Sequence, residues 1–180
     1  MNELTVKTVR GFGRMWRNVK TLMKSAFPRE ELVPLSLLRV MTLRRGVSFL
    51  AFYDGETFVG TTYLVEFKSF LFVFYLAVSP DVRGKGYGSR ILEWIKSRAE
   101  GKNVAIDVEA LGDGDNITKL RRIEFYRREG ITDTGYRLYD SGVKYMILSS
   151  SPETFTPDMF EEGWRSFLFG CFNEHLFRED

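Results

Sequence analysis

The apolar positions of this chain change period several times, and each change marks an element. From Arg14 to Phe27, the residues Met15, Trp16, Val19, Leu22, Met23 and Phe27 recur at helical spacing until Pro28 interrupts them. A second helix is predicted from Pro34 to Arg45 on Leu37, Leu38, Val40 and Met41, with Gly46 just beyond its end. From Val47 the period falls to two. Val47–Tyr53 and Thr57–Phe67 are rich in aromatic and β-branched residues, and Asp54-Gly55 between them predicts a hairpin. Phe70–Val78 is an unbroken apolar run too short to cross a bilayer, which reads as a strand buried on both faces and ended by Pro80.

Helical spacing returns with Ile91, Leu92, Trp94, Ile95 and Ala99, and Gly101 closes that helix. Asn103–Leu111 is then a buried strand, and a right-handed strand–helix–strand crossover places it parallel to the Phe70 strand. A loop follows, Gly112-Asp113-Gly114-Asp115, with Asn116 as a candidate cap for a helix carrying Ile117, Leu120, Ile123, Phe125 and Tyr126 and ended at Gly130. Ile131–Tyr139 and Val143–Leu148 form a last hairpin across Asp140-Ser141-Gly142, and residues 3–9 suit an edge strand. Beyond Ser150, Thr156-Pro157-Asp158 starts a helix whose stripe runs through Phe160, Trp164, Phe167, Leu168, Cys171, Phe172 and Leu176. That stripe needs a cover: the chain's own sheet, a dimer partner or an acceptor site.

Composition narrows the function. The 26 basic and 24 acidic residues leave a net charge of +2, which gives no whole-surface case for nucleic acid. No apolar run reaches the roughly 20 residues of a membrane span, and MNELTVKTVRGF lacks a secretory core, so a cytoplasmic protein is expected. A single cysteine, Cys171, rules out an internal disulfide. Cys171 and His175 lie four apart, but a metal site needs three or four ligands, so Cys171 reads as a small buried residue and no metal is expected.

The chemistry concentrates between Pro80 and Ile91, in Arg83-Gly84-Lys85-Gly86-Tyr87-Gly88-Ser89. Three glycines at alternate positions bring a ligand close to the backbone, and the first turn of the following helix aims unpaired N–H groups and a positive dipole end at one point. This device suits a phosphate or pyrophosphate, with Arg83 and Lys85 adding charge. Neither Gly-Lys-Ser/Thr nor Gly-x-Gly-x-x-Gly is present. The pattern Arg-x-x-Gly-x-Gly at Arg83, Gly86 and Gly88, preceded by Leu76-Ala77-Val78-Ser79-Pro80, resembles the acyl-coenzyme A signature of the GNAT superfamily of N-acetyltransferases. Phe125-Tyr126-Arg127-Arg128-Glu129-Gly130-Ile131 is similar to that family's Phe-Tyr-x-x-x-Gly-Phe segment, with Ile131 in place of phenylalanine.

The resemblance implies an α/β fold over residues 1–149, with a mixed, mostly antiparallel sheet whose two central parallel strands splay apart, and residues 150–180 as a helical appendage. It implies acetyl-coenzyme A as acetyl donor, with Leu76, Ala77 and Val78 holding the acetyl carbonyl and pantetheine and residues Arg83 to Ser89 cradling the pyrophosphate. Tyr126 would protonate the departing thiolate. The glutamate that many members carry four residues before the acetyl-holding amide is Phe72 here, leaving Glu109, Glu66 or a water chain as the base, with Glu109 first. Lys119 replaces an asparagine often found seven residues before the tyrosine, and Arg122, one turn before Tyr126, faces either substrate or a surface ion pair. The expected reaction is direct acetyl transfer to a primary amine on a small molecule or peptide. The competing expectation is a non-catalytic acyl-coenzyme A binding module with an interaction tail.

Overall fold

The computed structural model describes residues 3–29, 31–112, 117–140, 142–167 and 176–178. Its elements run β1 (Thr5–Thr8), α1 (Arg14–Ala26), α2 (Leu35–Met41), β2 (Val47–Asp54), β3 (Thr57–Glu66), β4 (Phe70–Val78), α3 (Tyr87–Arg98), β5 (Asn103–Glu109), α4 (Ile117–Arg128), β6 (Thr132–Asp140), β7 (Val143–Ser149), α5 (Pro157–Phe167) and β8 (Phe177–Arg178). Two contact units divide the chain, Met1–Glu66 with Val73–Arg98, and Phe67–Phe72 with Ala99–Asp180.

In the first unit the strands are ordered β1-β2-β3-β4. The β2–β3 hairpin has a register shift between Phe52 and Tyr53, which leaves Val59 as a bulge residue. Its carbonyl accepts the Ser79 N–H at 2.9 Å, so the bulge ties down the end of β4. Gly60, beside it, is a glycine of necessity: a Cβ there would sit 2.6 Å from the Ala77 carbonyl oxygen and 2.8 Å from Ile91 Cδ1. The amphipathic α1 buries Val19, Leu22 and Met23, and Trp16 meets Phe49 edge-on at 6.4 Å. On α3, Ile91, Leu92 and Ile95 are buried and Trp94 packs on Phe52 at 5.4 Å.

In the second unit the order is β4-β5-β7-β6-β8. The β4–β5 ladder is parallel, as the crossover rule predicts, and its register covers three pairs, Phe70↔Asn103 to Phe72↔Ala105. The remaining pairings in this unit are antiparallel. The fold class is therefore α/β with a mostly antiparallel sheet and one parallel pair. Helix α5 sets Phe160 and Trp164 against Phe67, Phe70, Phe72 and Phe155, with Phe70 and Phe160 stacked at 6.2 Å and Phe72 and Trp164 edge-on at 5.3 Å.

Three local expectations need revising. Strand β4 is buried on both faces only from Phe70 to Val73; beyond it Tyr75 and Ala77 are buried, whereas Phe74, Leu76 and Val78 are half-buried. Helix α2 ends at Met41 rather than Arg45, because Thr42 turns its hydroxyl onto the Arg39 carbonyl at 2.7 Å and 3-10-type bonds follow. After α5, Leu176 is buried beside a short strand, with Phe177 stacked on Tyr139 at 5.3 Å. Asp113, Gly114, Asp115, Asn116, Ser141, Leu168, Phe169, Cys171, Phe172 and His175 lie outside the described residues.

Candidate functional site

The glycine-rich segment leaves β4 through Ser79 and a short 3-10 turn, Pro80–Val82, and reaches α3 within four residues. Gly84 and Gly86 take φ of +75° and +77°, which a side chain would resist, and a Cβ on either would meet nothing within 4 Å. The contrast with Gly60 is informative. At Gly60 the space is filled by protein, whereas at Gly84 and Gly86 the backbone borders open space.

The Gly86 carbonyl accepts the Arg90 N–H at 3.2 Å and so starts α3. Among the described residues, the amides of Gly84, Lys85, Gly86, Tyr87 and Gly88 have no protein acceptor. These donors stand at the positive end of a 12-residue helix, flanked by the exposed Arg83 and Lys85. Such a cluster of donors binds an anion with several oxygens.

A polar anchor that sequence reasoning missed holds this segment in place. The Tyr87 hydroxyl donates to Asp54 Oδ2 at 2.9 Å, Arg90 Nη1 meets the same oxygen at 3.2 Å, and the Arg90 guanidinium lies 5.0 Å from the Tyr87 ring centre. Asp54 is pushed below the usual carboxylate range, first by the Tyr87 hydrogen bond and then by Arg90, while Tyr87 is raised by the same contact. The Asp-Gly pair had signalled only a turn. Its aspartate also fastens the first turn of α3 to the β2–β3 hairpin.

Of the residues named for proton transfer, Tyr126 and Glu109 lie in the second unit and Glu66 in the first. Tyr126, on α4, is 4% exposed, and its phenol is raised far above the ordinary value by burial, with Arg122 opposing and Asp107 adding to the shift. It therefore keeps its proton through the neutral range. Glu109, at the end of β5, is held by Lys119 Nζ at 2.7 Å, both side chains being about one-quarter exposed (29% and 25%). Lys119 thus stands as the ion-pair partner of the carboxylate that sequence reasoning ranked first as base. Glu66, at the end of β3, is exposed. Tyr75 of β4, also missed, accepts the Val33 N–H at 3.0 Å and donates to the Glu31 carbonyl at 2.8 Å, pinning the chain between α1 and α2.

Comparison with known proteins brings these features together. The model of the family described as "Acetyltransferase (GNAT) domain" matches residues 45–130. Residues 45–130 are therefore similar to a GNAT acetyltransferase domain. The matched range runs from the start of β2 to the end of α4, taking in the glycine segment, Glu109 and Tyr126. The chain is 38% identical over 96 residues to YjbC of Bacillus subtilis (strain 168), whose own assignment as an acetyltransferase is provisional. That match covers 49% of this chain and 48% of the relative, so the chain spans about half the length of the curated relative it matches. A GNAT-family protein from Bacteroides thetaiotaomicron, likewise provisionally an acetyltransferase, superposes with a TM-score of 0.65 at 23% identity, covering 87% of this chain and 90% of its own. A GNAT family acetyltransferase from Elizabethkingia anophelis, solved with acetyl-CoA bound, superposes with a TM-score of 0.57 at 11% identity over 83% of this chain and 98% of its own. These likenesses establish the GNAT fold. No helix among the described residues is long and apolar enough to cross a membrane.

Proposed function

We propose that this protein is an N-acetyltransferase that moves an acetyl group from acetyl-coenzyme A to a primary amine by direct attack. One observation carries the reading: five consecutive backbone amides, Gly84 to Gly88, without a protein acceptor among the described residues, beside glycines whose missing side chains leave open space. That cradle fits a pyrophosphate.

Acetyl-coenzyme A supplies the activated acetyl thioester. The chain's part is to hold it and to manage protons. Arg83, Gly84, Lys85, Gly86, Tyr87, Gly88 and Ser89 bind the diphosphate; the Tyr87 hydroxyl is already engaged by Asp54, so its contribution is its amide. The stretch Leu76, Ala77 and Val78 holds the acyl arm, with the Leu76 amide as a fixed donor to the acyl oxygen, and it lies outside the three-pair ladder that joins β4 to β5. As the amine nitrogen bonds to the acyl carbon and the carbon–sulfur bond breaks, Tyr126 gives its proton to the sulfur and is restored from solvent. The amine proton goes to Glu109, which has to loosen its contact with Lys119 to take it, or to Glu66 or water. The domain is read as residues 1–149 with residues 150–180 appended, working in the cytoplasm on a small-molecule or peptide amine, with a homodimer as one arrangement of the tail.

The test combines calorimetry with turnover. Tyr126→Phe should bind coenzyme A as the wild type does, while acetyl transfer to an accepted amine falls roughly 100-fold, the usual contribution of a positioned acid. Because burial holds the Tyr126 proton above its ordinary range, the wild-type rate should show no loss from tyrosine ionisation below about pH 10. Unchanged turnover in Tyr126→Phe and Glu109→Gln would remove both residues from the mechanism.

A further inference from the structure

A cavity in the first unit is lined by none of the residues of the glycine segment. It has a volume of about 910 Å³ and is lined by Phe12 and by residues of α1, of α2 and of the chain between them. Such a volume is in the range that takes a drug-sized ligand. Its apolar surface comes from Phe12, Trp16, Phe27, Leu32, Val33 and Leu35, and its charge from Lys20, Lys24, Arg29 and Arg39. Among the described residues the lining contains four cations and no acid, in a chain whose charges nearly cancel at +2.

The state of those cations decides what the cavity wants. Among the described residues, none of the four has an ion pair or hydrogen bond to a carboxylate. Arg39 instead lies over two rings, with its guanidinium 4.2 Å from the centre of Phe12 and 4.6 Å from that of Trp16. Such stacking occupies the faces of the guanidinium and leaves its N–H edge available. Phe12 is 80% exposed, so its ring is accessible to a ligand beside the Arg39 guanidinium. Glu31 lies on the same stretch of chain but outside the lining.

The wall is also built to hold its shape. The Tyr75 hydroxyl fixes Val33 and Glu31 through the two hydrogen bonds already described, and Phe27 packs against the Tyr75 ring at 4.7 Å. Tyr75 immediately precedes Leu76 in β4, so the strand proposed to hold the acyl arm also fixes one side of this cavity.

We propose that this cavity binds a small molecule with an apolar or aromatic body and an anionic group, a carboxylate or a phosphate. The body lies against Trp16, Phe12 and Phe27, and the anion meets Arg39 with the lysines and Arg29 around it. Two sources share this chemistry. One is the amine acceptor itself, an amine that also carries an acid group, which rests on the acetyltransferase reading. The other is an anionic effector that is never acetylated.

The experiment follows the emission of Trp16 while the full-length protein is titrated with 3-phenylpropanoate and, separately, with the uncharged 3-phenylpropanamide, without any coenzyme. The anion should bind at least tenfold more tightly than the amide and weaken as salt rises, since exposed charges are screened within about 8 Å at physiological ionic strength. Replacing the exposed pair Lys20→Gln and Arg29→Gln should weaken the anion by roughly tenfold or more, since hydrogen bonds to charged groups are the strong ones, and should leave the amide unchanged. A Trp16→Phe variant assigns the signal, and retained α-helical circular dichroism shows that each variant folds. Equal binding of anion and amide, or unaltered binding in the double variant, overturns the proposal. A further arm offers phenylalanine with acetyl-coenzyme A: acetylation competed by 3-phenylpropanoate identifies the acceptor, and anion binding without such competition identifies an effector. Binding does not depend on turnover, so failure of the acetyltransferase reading would leave this result standing.

Discussion

Gly60 and Gly86 separate two uses of the same residue. At Gly60 an added Cβ would press on the Ala77 carbonyl oxygen at 2.6 Å, so Gly60→Ala pushes β3 away from β4 and should cost about 1–3 kcal/mol of folding stability. At Gly86 the same atom would touch nothing, and the cost to folding is only that of an L-residue held at φ +77°, about 1–2 kcal/mol. The binding consequence runs the other way. Gly86→Val should reduce coenzyme A affinity at least tenfold, because its side chain occupies the face that the phosphates approach. Gly60→Ala should lower the melting temperature with a smaller effect on affinity. A thermal melt and a calorimetric titration of each variant check this, and equal affinity losses in the two would argue against a cradle at Gly86.

At the scale of elements, the position of α3 depends on a contact that pH can switch. The Asp54 carboxyl is held below its ordinary range, first by the Tyr87 hydroxyl and then by Arg90. A carboxyl depressed in the folded state contributes stability above its unfolded pKa, near 3.9, and loses that contribution as pH falls through its folded value. Asp54→Asn should therefore lower the melting temperature at pH 7, with the gap between variant and wild type closing below about pH 4. A gap that stays constant down to pH 3 would mean that the carboxylate charge plays no part. The sequence announced both partners of this contact for other reasons, Asp54 as a turn residue and Tyr87 as part of the glycine motif. Pairing across 33 positions leaves no periodic trace. Elements set by local spacing were legible from the residues alone: the β2–β3 hairpin, the strand leading into the glycines and α3 all follow short-range patterns. Those set by distant partners were not. Strand β8 exists through its pairing with β6, and α2 stops where the Thr42 hydroxyl bonds the Arg39 carbonyl, although the apolar spacing of Leu37 and Val40 continues to Leu43 beyond it. The open amides of the glycine segment were legible because glycine spacing before a helix acts through the backbone. Lys119 was noticed only as a departure from a pattern, since which acid it meets is decided by where α4 lies beside β5.

At the scale of the whole molecule, helix α5 of the tail is packed into the second unit. Phe160 is 1% exposed and lies among Phe70, Phe72, Phe155 and Trp164, with ring centres 5.9 to 6.2 Å from its own, and Phe155 lies 5.7 Å from Phe70. Three of these contacts reach β4 or its neighbours in sequence, although some 90 positions of chain lie between. Long-range aromatic packing of this kind rewards folding only after a large loop has closed, so its loss should appear mainly in equilibrium stability. Phe160→Ala leaves a ring-sized void and should cost about 3–5 kcal/mol, enough to unfold a domain of ordinary stability at moderate temperature. Phe160→Leu keeps most of the volume and should retain the larger part of that energy. Urea denaturation of the three proteins, followed by far-ultraviolet circular dichroism, measures both differences. If alanine shifted the midpoint by no more than leucine does, α5 would be an ornament on the surface; a large gap between them makes it a structural wall that the β4–β5 pair leans on.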